Sequence, residues 1–130
     1  MDVLLSIKPK YVRSIIEGEK RYEFRKAIFK DRSVNRIFIY SSAPVKKIVA
    51  VFEIGTILED HPDILWDRVR DYAGIDDSEF FTYFAGRSKG YAIGIENLQE
   101  LDEPIDPKEA IPEFVPPQSY CYLDGLPVAE

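Results

Sequence analysis

Cysteine and histidine are almost missing from this 130-residue chain, which has one of each, Cys121 and His61. A single cysteine closes no internal disulfide, so nothing points to an oxidising compartment. The pair also falls short of the four nitrogen or sulfur ligands that a structural zinc needs. A Cys–His nucleophile would require the fold to bring the two together, and His61 before Pro62 reads better as a loop residue. The acids between 100 and 113 are spread among prolines without calcium-loop spacing. Gly86, Gly90 and Gly94 form no dinucleotide or phosphate loop. Neither a metal nor a cofactor is therefore expected. Long apolar runs are absent too. The opening MDVLLSIKPK has a short apolar stretch with no basic region before it, which fits neither a signal peptide nor a membrane span. The expected location is the cytoplasm, with no membrane partner.

What is present fits a globular protein. Apolar residues make up 45% and charged residues 31%, and 130 residues can bury a core without disulfides or metal. One domain over residues 1–130 is expected, with no internal repeat or linker. The net charge of −6 hides a division: residues 1–50 hold twelve Lys or Arg against five Asp or Glu, giving +7, and residues 51–130 hold five against eighteen, giving −13. If the early cations share a face, that face attracts phosphate whatever the total charge, because local potential steers a ligand. If the acidic half folds over them, the field is cancelled.

VLLSI at 3–7 reads as a buried strand, and Lys8-Pro9 opens a helix whose face is Val12, Ile15 and Ile16, with Gly18 as its stop. RYEFR at 21–25 alternates aromatic and charged residues with the period of a strand. Strands are expected at 36–42 and 46–58, joined through Ala43-Pro44, the second long enough to bend across a barrel. Helices are expected at 62–72 and 76–84, ended by Gly74 and Gly86, with Trp66 in the core. GYAIGIENL at 90–98 returns to strand, and 103–117, rich in proline and acid, reads as a surface loop. These elements suggest an α+β domain on a small curved sheet or barrel.

The stretch GEKRYEFR at 18–25 packs five charged residues into eight. Glu23 is two residues from both Arg21 and Arg25, Arg25 offers a planar fork for phosphate or carboxylate, and Lys20 a movable point charge. Strict alternation would send Lys20 to the side opposite Glu23. For the two to meet, the backbone must turn between Gly18 and Arg21, where glycine permits it. Without such a turn the residues are an exposed strand face of ion pairs worth little to stability.

Gly18, Lys20, Glu23 and Arg25 fill all four fixed positions of G-x-K-x-x-E-x-R, and the stretch resembles the signature of the ASCH domain family. It falls between the first helix and second strand, after SIKP, and PPQSYCYL at 116–123 is similar to the family's C-terminal end. The resemblance implies a PUA-like small β-barrel of five to six strands with helices inserted between them. It also implies a cleft beside the barrel for RNA, another single-stranded nucleic acid, or a nucleotide or nucleoside. The expected ligand-binding set is Ser6, Lys8, Gly18, Lys20, Glu23, Arg25, Gln118, Ser119 and Tyr120, with Lys8 and Lys10 bracketing a helix start that favours an anion. Tyr120 and Tyr122 could supply a stacking platform, or else a strand sealing the barrel.

The resemblance implies first a binding module for RNA or a nucleotide, regulatory or in RNA metabolism. The alternative is a small hydrolase acting on a modified nucleoside or RNA, in which Lys20 and Glu23 would be catalytic. A branch of the family hydrolyses an acetylated cytidine, using a hydroxyl residue at the motif's acidic position and a glutamate from the helical insertion. This chain has Glu23 at the first position and Tyr72-Ala73-Gly74 at the helix end, with Asp71 and Asp76 as the nearest acids. A lysine serves as base only if burial or neighbouring cations lower its pKa; Arg21 and Lys8 beside Lys20 would act in that direction, and Glu23 in the opposite one.

Overall fold

The computed structural model describes residues 1–123. Strand β1 (Asp2–Ile7) is followed by helix α1 (Pro9–Ile16), strand β2 (Tyr22–Arg25), strand β3 (Arg36–Ser41) and the long strand β4 (Lys47–Asp60). Helix α2 (Pro62–Val69), a 3-10 turn (Arg70–Tyr72) and helix α3 (Asp77–Tyr83) precede strand β5 (Gly90–Ile105), helix α4 (Pro107–Ala110) and strand β6 (Tyr120–Leu123). The six strands form one sheet in the order β2-β5-β4-β3-β1-β6, in which only β1 and β3 run parallel.

The sheet curls because its longest strands are interrupted. Strands β4 and β5 pair across three register shifts, and each extra residue bends the strand and increases its twist. The curl brings β2, at one edge, back towards β1 near the other: Arg25 Nη2 donates to the Ser6 carbonyl at 3.0 Å. Inside the curl lie Val3, Leu5, Ile37, Ile39, Ala50, Phe52 and Ile93, covered by Val12 and Ile15 of α1. A second cluster, around Leu4, Phe38 and Phe114, covers the opposite face. A third joins Phe24 of β2 to Leu65, Val69, Phe80 and Phe84, so the α2–α3 insertion is fastened to the motif strand by aromatic packing.

Two expectations are corrected here. Strand β5 continues to Ile105, because residues 100 and 105 pair with Ala50 and Ile48 of β4. Neighbouring backbone outweighs the loop-like composition of this stretch. The remainder of 103–117 contains the short α4, capped by Asp106 accepting from the Lys108 amide. His61 also has a definite task as N-cap of α2, its Nδ1 accepting from the Asp63 amide at 3.2 Å.

Candidate functional site

Gly18 adopts φ +83° and ends α1 in a left-handed turn. The Glu19 and Lys20 amides then both donate to the Ser14 carbonyl, while Lys20 pairs with Ala73 in an isolated bridge. Regular β2 pairing begins only at Tyr22, so alternation does not govern Lys20. Its ammonium points towards Glu23, with Nζ 3.9 Å from Oε1, and donates to the Ala73 carbonyl at 3.2 Å. The Phe24 ring lies 4.2 Å from it. Only 3% of the Lys20 side chain is exposed.

Glu23 is shared between two cations. Arg25 donates to its Oε2 through Nε at 3.1 Å and Nη2 at 2.8 Å, and reaches the Ser119 carbonyl and Oγ through Nη1, each at 3.4 Å. Much of the guanidinium is therefore spent on Glu23 and on the chain ends around the seam. The fork expected to receive phosphate instead ties strands together. Arg21, expected beside Glu23, turns away: it donates to the Gly18 carbonyl and stacks on Tyr72.

Lys20, Glu23 and Arg25 open onto a cleft of about 720 Å³, within the size range of small-ligand sites. Ser6, Lys8, Gln118 and Ser119 line it as well. Gly18 forms the turn and does not line the cleft. Tyr120 also lies outside the lining: its ring packs against the inner core and edge-on to Phe29 and Tyr122, while Tyr122 is exposed with its hydroxyl accepting from the Asp31 amide, so neither lines the cleft. Lys10 pairs with Glu79 at 3.2 Å.

The sequence reading missed Tyr11, Lys26, Ser42, Glu79 and Tyr83, all of which line the cleft. Glu79 is the carboxylate that the helical insertion contributes, whereas Asp76 caps α3 by accepting from the Glu79 amide and Asp71 does not line the cleft. The Tyr11 hydroxyl donates to Glu79. The signal for Glu79 was its place three residues after the cap, on a first turn whose orientation only the Phe80 packing decides.

Burial pushes the Lys20 ammonium below its ordinary pKa, against the opposing pull of Glu23, with Arg25 adding to the fall and Glu79 resisting it. The rise expected from Glu23 is thus outweighed by the loss of water. The Tyr11 hydrogen bond holds Glu79 below its usual range, and burial raises Tyr11. Counting lining charges, Lys8, Lys20, Arg25 and Lys26 stand against Glu23 and Glu79, four against two. The acidic half of the chain leaves this face with a positive excess.

Gly74 is what lets Lys20 sit here. It has φ +68°, and a Cβ added there would lie 2.4 Å from the Lys20 Cβ. Gly86, at φ +78°, has nothing within 4 Å. Gly86→Ala should cost about 1–2 kcal/mol for the left-handed backbone, and Gly74→Ala roughly 2–4 kcal/mol once overpacking is added. Equal melting-temperature losses in the two variants would contradict the close Gly74–Lys20 contact.

A curled six-stranded α+β sheet with a helical insertion and a cleft at its seam defines a PUA-like domain. The ASCH domain model matches residues 5–107, and the chain belongs to the ASCH domain family. It is 30% identical over 125 residues to a Zymomonas mobilis protein described as an ASCH domain-containing ribonuclease, covering 94% of this chain and 84% of that one. The crystal structure of ASCH from Zymomonas mobilis superposes with a TM-score of 0.86 at 30% identity, over 95% of this chain and 87% of that one. The Ureaplasma parvum large ribosomal subunit protein uL22 is 23% identical over 82% of this chain, which spans 34% of that protein.

Proposed function

We propose that this chain binds single-stranded RNA in the cleft and cleaves it there. The observation that carries the reading is the buried Lys20, its pKa lowered, held beside Glu23 on the wall of a cleft with excess positive charge. The likeness to a protein described as a ribonuclease, over nearly the whole chain, supports RNA as the substrate class.

The chemistry required is modest. A phosphodiester approaching the cleft gains from Lys8 and Lys26, which have no ionic partner among the described residues. Cleavage requires an oxygen nucleophile, the ribose 2′ hydroxyl or water, to bond to phosphorus as the P–O5′ bond breaks. The Lys20 ammonium can neutralise charge on the phosphoryl oxygens or give its proton to the departing 5′ oxygen, while the nucleophile's proton passes to a carboxylate or to water. The lowered pKa makes it easier for Lys20 to release that proton. Glu23 and the Ala73 carbonyl hold the ammonium in place. Glu79 is kept ionised by the Tyr11 hydrogen bond, so it is a proton acceptor weaker than an ordinary glutamate and chiefly a fixed negative charge on the cleft wall.

The test pairs affinity with product formation on labelled single-stranded RNAs over a range of salt. Two or three phosphate contacts predict a log–log salt slope of roughly −1.5 to −2. Binding with cleavage supports the proposal. Tight binding with no product leaves a binding module and removes the nuclease half, while no RNA binding at low salt overturns the reading.

A further inference from the structure

We infer that Tyr83 and Lys26 form a base-stacking subsite on one wall of the cleft, where an unpaired base rests on the Tyr83 ring and Lys26 takes an adjoining phosphate. The inference rests on the RNA reading above and adds how the strand is gripped.

Tyr83 is the last residue of α3, and Lys26 follows directly after β2, so two elements fastened together by Phe24 and Phe80 bring the pair to the cleft wall. Tyr83 is 37% exposed as a residue although it sits among buried aromatics, and it lines the cleft. Its inner side is fixed by an edge-on contact with Phe84, with ring centroids 4.8 Å apart, and Phe84 is itself buried against Phe24 and Phe80. Such a ring loses little freedom when a base covers it. The other aromatics of the cleft offer less: Phe24 is buried, and Tyr11 is only half-buried, with the ammonium groups of both Lys10 and Lys20 against its ring.

The Lys26 ammonium lies 4.8 Å from the Tyr83 centroid. An exposed cation–π contact of this kind is weaker than the stacking of a base on an aromatic ring, and a strongly hydrated lysine on a flexible stem can move at small cost. An arriving base therefore displaces Lys26 from the ring towards the phosphate beside that base. Both partners gain, since the ring exchanges a weak contact for stacking and the lysine exchanges a ring for an anion. A duplex, whose bases are already stacked on each other, cannot use the site without unpairing.

The experiment measures affinity for a short single-stranded RNA, using variants of Tyr83 and RNAs with a single abasic position moved along the strand. Tyr83→Leu should weaken binding by about 5-fold or more, and Tyr83→Phe should bind within about 2-fold of wild type, because the ring and not the hydroxyl is used. One abasic position should produce a similar loss in wild type and no further loss in Tyr83→Leu. Lys26→Met should make the salt slope shallower by about 0.7. Circular dichroism melts confirm that each variant is folded, and Tyr83→Trp provides a ring-bearing replacement should Tyr83→Leu unfold. Unchanged affinity in Tyr83→Leu, or an equal loss in Tyr83→Phe, overturns the subsite while leaving RNA binding in the cleft intact. Failure of wild type to bind any RNA overturns both.

Discussion

Lys20→Met should lower RNA cleavage by about 10²–10⁴-fold while changing stability at neutral pH by no more than about 1 kcal/mol. The two halves of this expectation have different origins. The activity loss follows if Lys20 carries the proton or the charge of the reaction. The small stability change follows because a buried ammonium pays for its lost water, and Met fills similar volume without that cost. Glu23 keeps both hydrogen bonds from Arg25 in the variant, so no buried carboxylate is left alone. A large loss of both stability and activity would make Lys20 a structural residue and weaken the nuclease reading.

The same burial fixes the sign of a pH effect. The folded pKa of Lys20 is below that of the unfolded chain, so between the two values the unfolded state binds more protons and stability rises with pH. Below the folded value both states are protonated and the penalty is fully present; above the unfolded value of 10.5 it is gone. Wild type should therefore gain on Lys20→Met as pH climbs through that window. Taking the difference between the two proteins cancels most of the alkaline titration of Tyr11, Tyr40 and Tyr83, whose raised pKa values act oppositely. Parallel stability curves for the two proteins would contradict a depressed lysine.

The strands and helices were legible where local pattern and tertiary context agree. The run VLLSI, the helix opened by Pro9 and stopped by Gly18, and the alternation in YEFR each carry their own period or punctuation. The continuation of β5 to Ile105 was not legible, because QELDEPI is strand only by virtue of pairing with β4. The motif made the meeting of Lys20 with Glu23 readable, given a turn at Gly18. Which cation would hold the glutamate was not readable, since that depends on the curl bringing Ser6 and Ser119 within reach of Arg25. Tyr83 and Glu79 were hidden for a similar reason: they enter the cleft from a helix whose rotation is set by Phe80 and Phe84 in a cluster built from distant segments.

Arg25→Ala should be the more destructive of the two cation deletions, costing about 3–5 kcal/mol, although both cations face the same carboxylate. Lys20 touches Glu23 at 3.9 Å with no hydrogen bond, whereas Arg25 makes two short ones and also spans the seam to Ser6 and Ser119. Its removal leaves Glu23, 8% exposed, beside one distant ammonium, and unties β2 from β1 where no backbone ladder joins them. Arg25→Lys should recover only part of the loss, because an ammonium cannot serve Glu23 and two carbonyl groups from one planar fork. Combining Arg25→Ala with Glu23→Gln should restore about 1–3 kcal/mol relative to Arg25→Ala alone, since the uncompensated charge has been removed. Denaturant melts of the four proteins measure both effects. If Arg25→Ala melts like wild type yet loses RNA affinity, the arginine is a phosphate grip after all; if it melts early and Glu23→Gln rescues it, the guanidinium closes the seam against which the cleft is built.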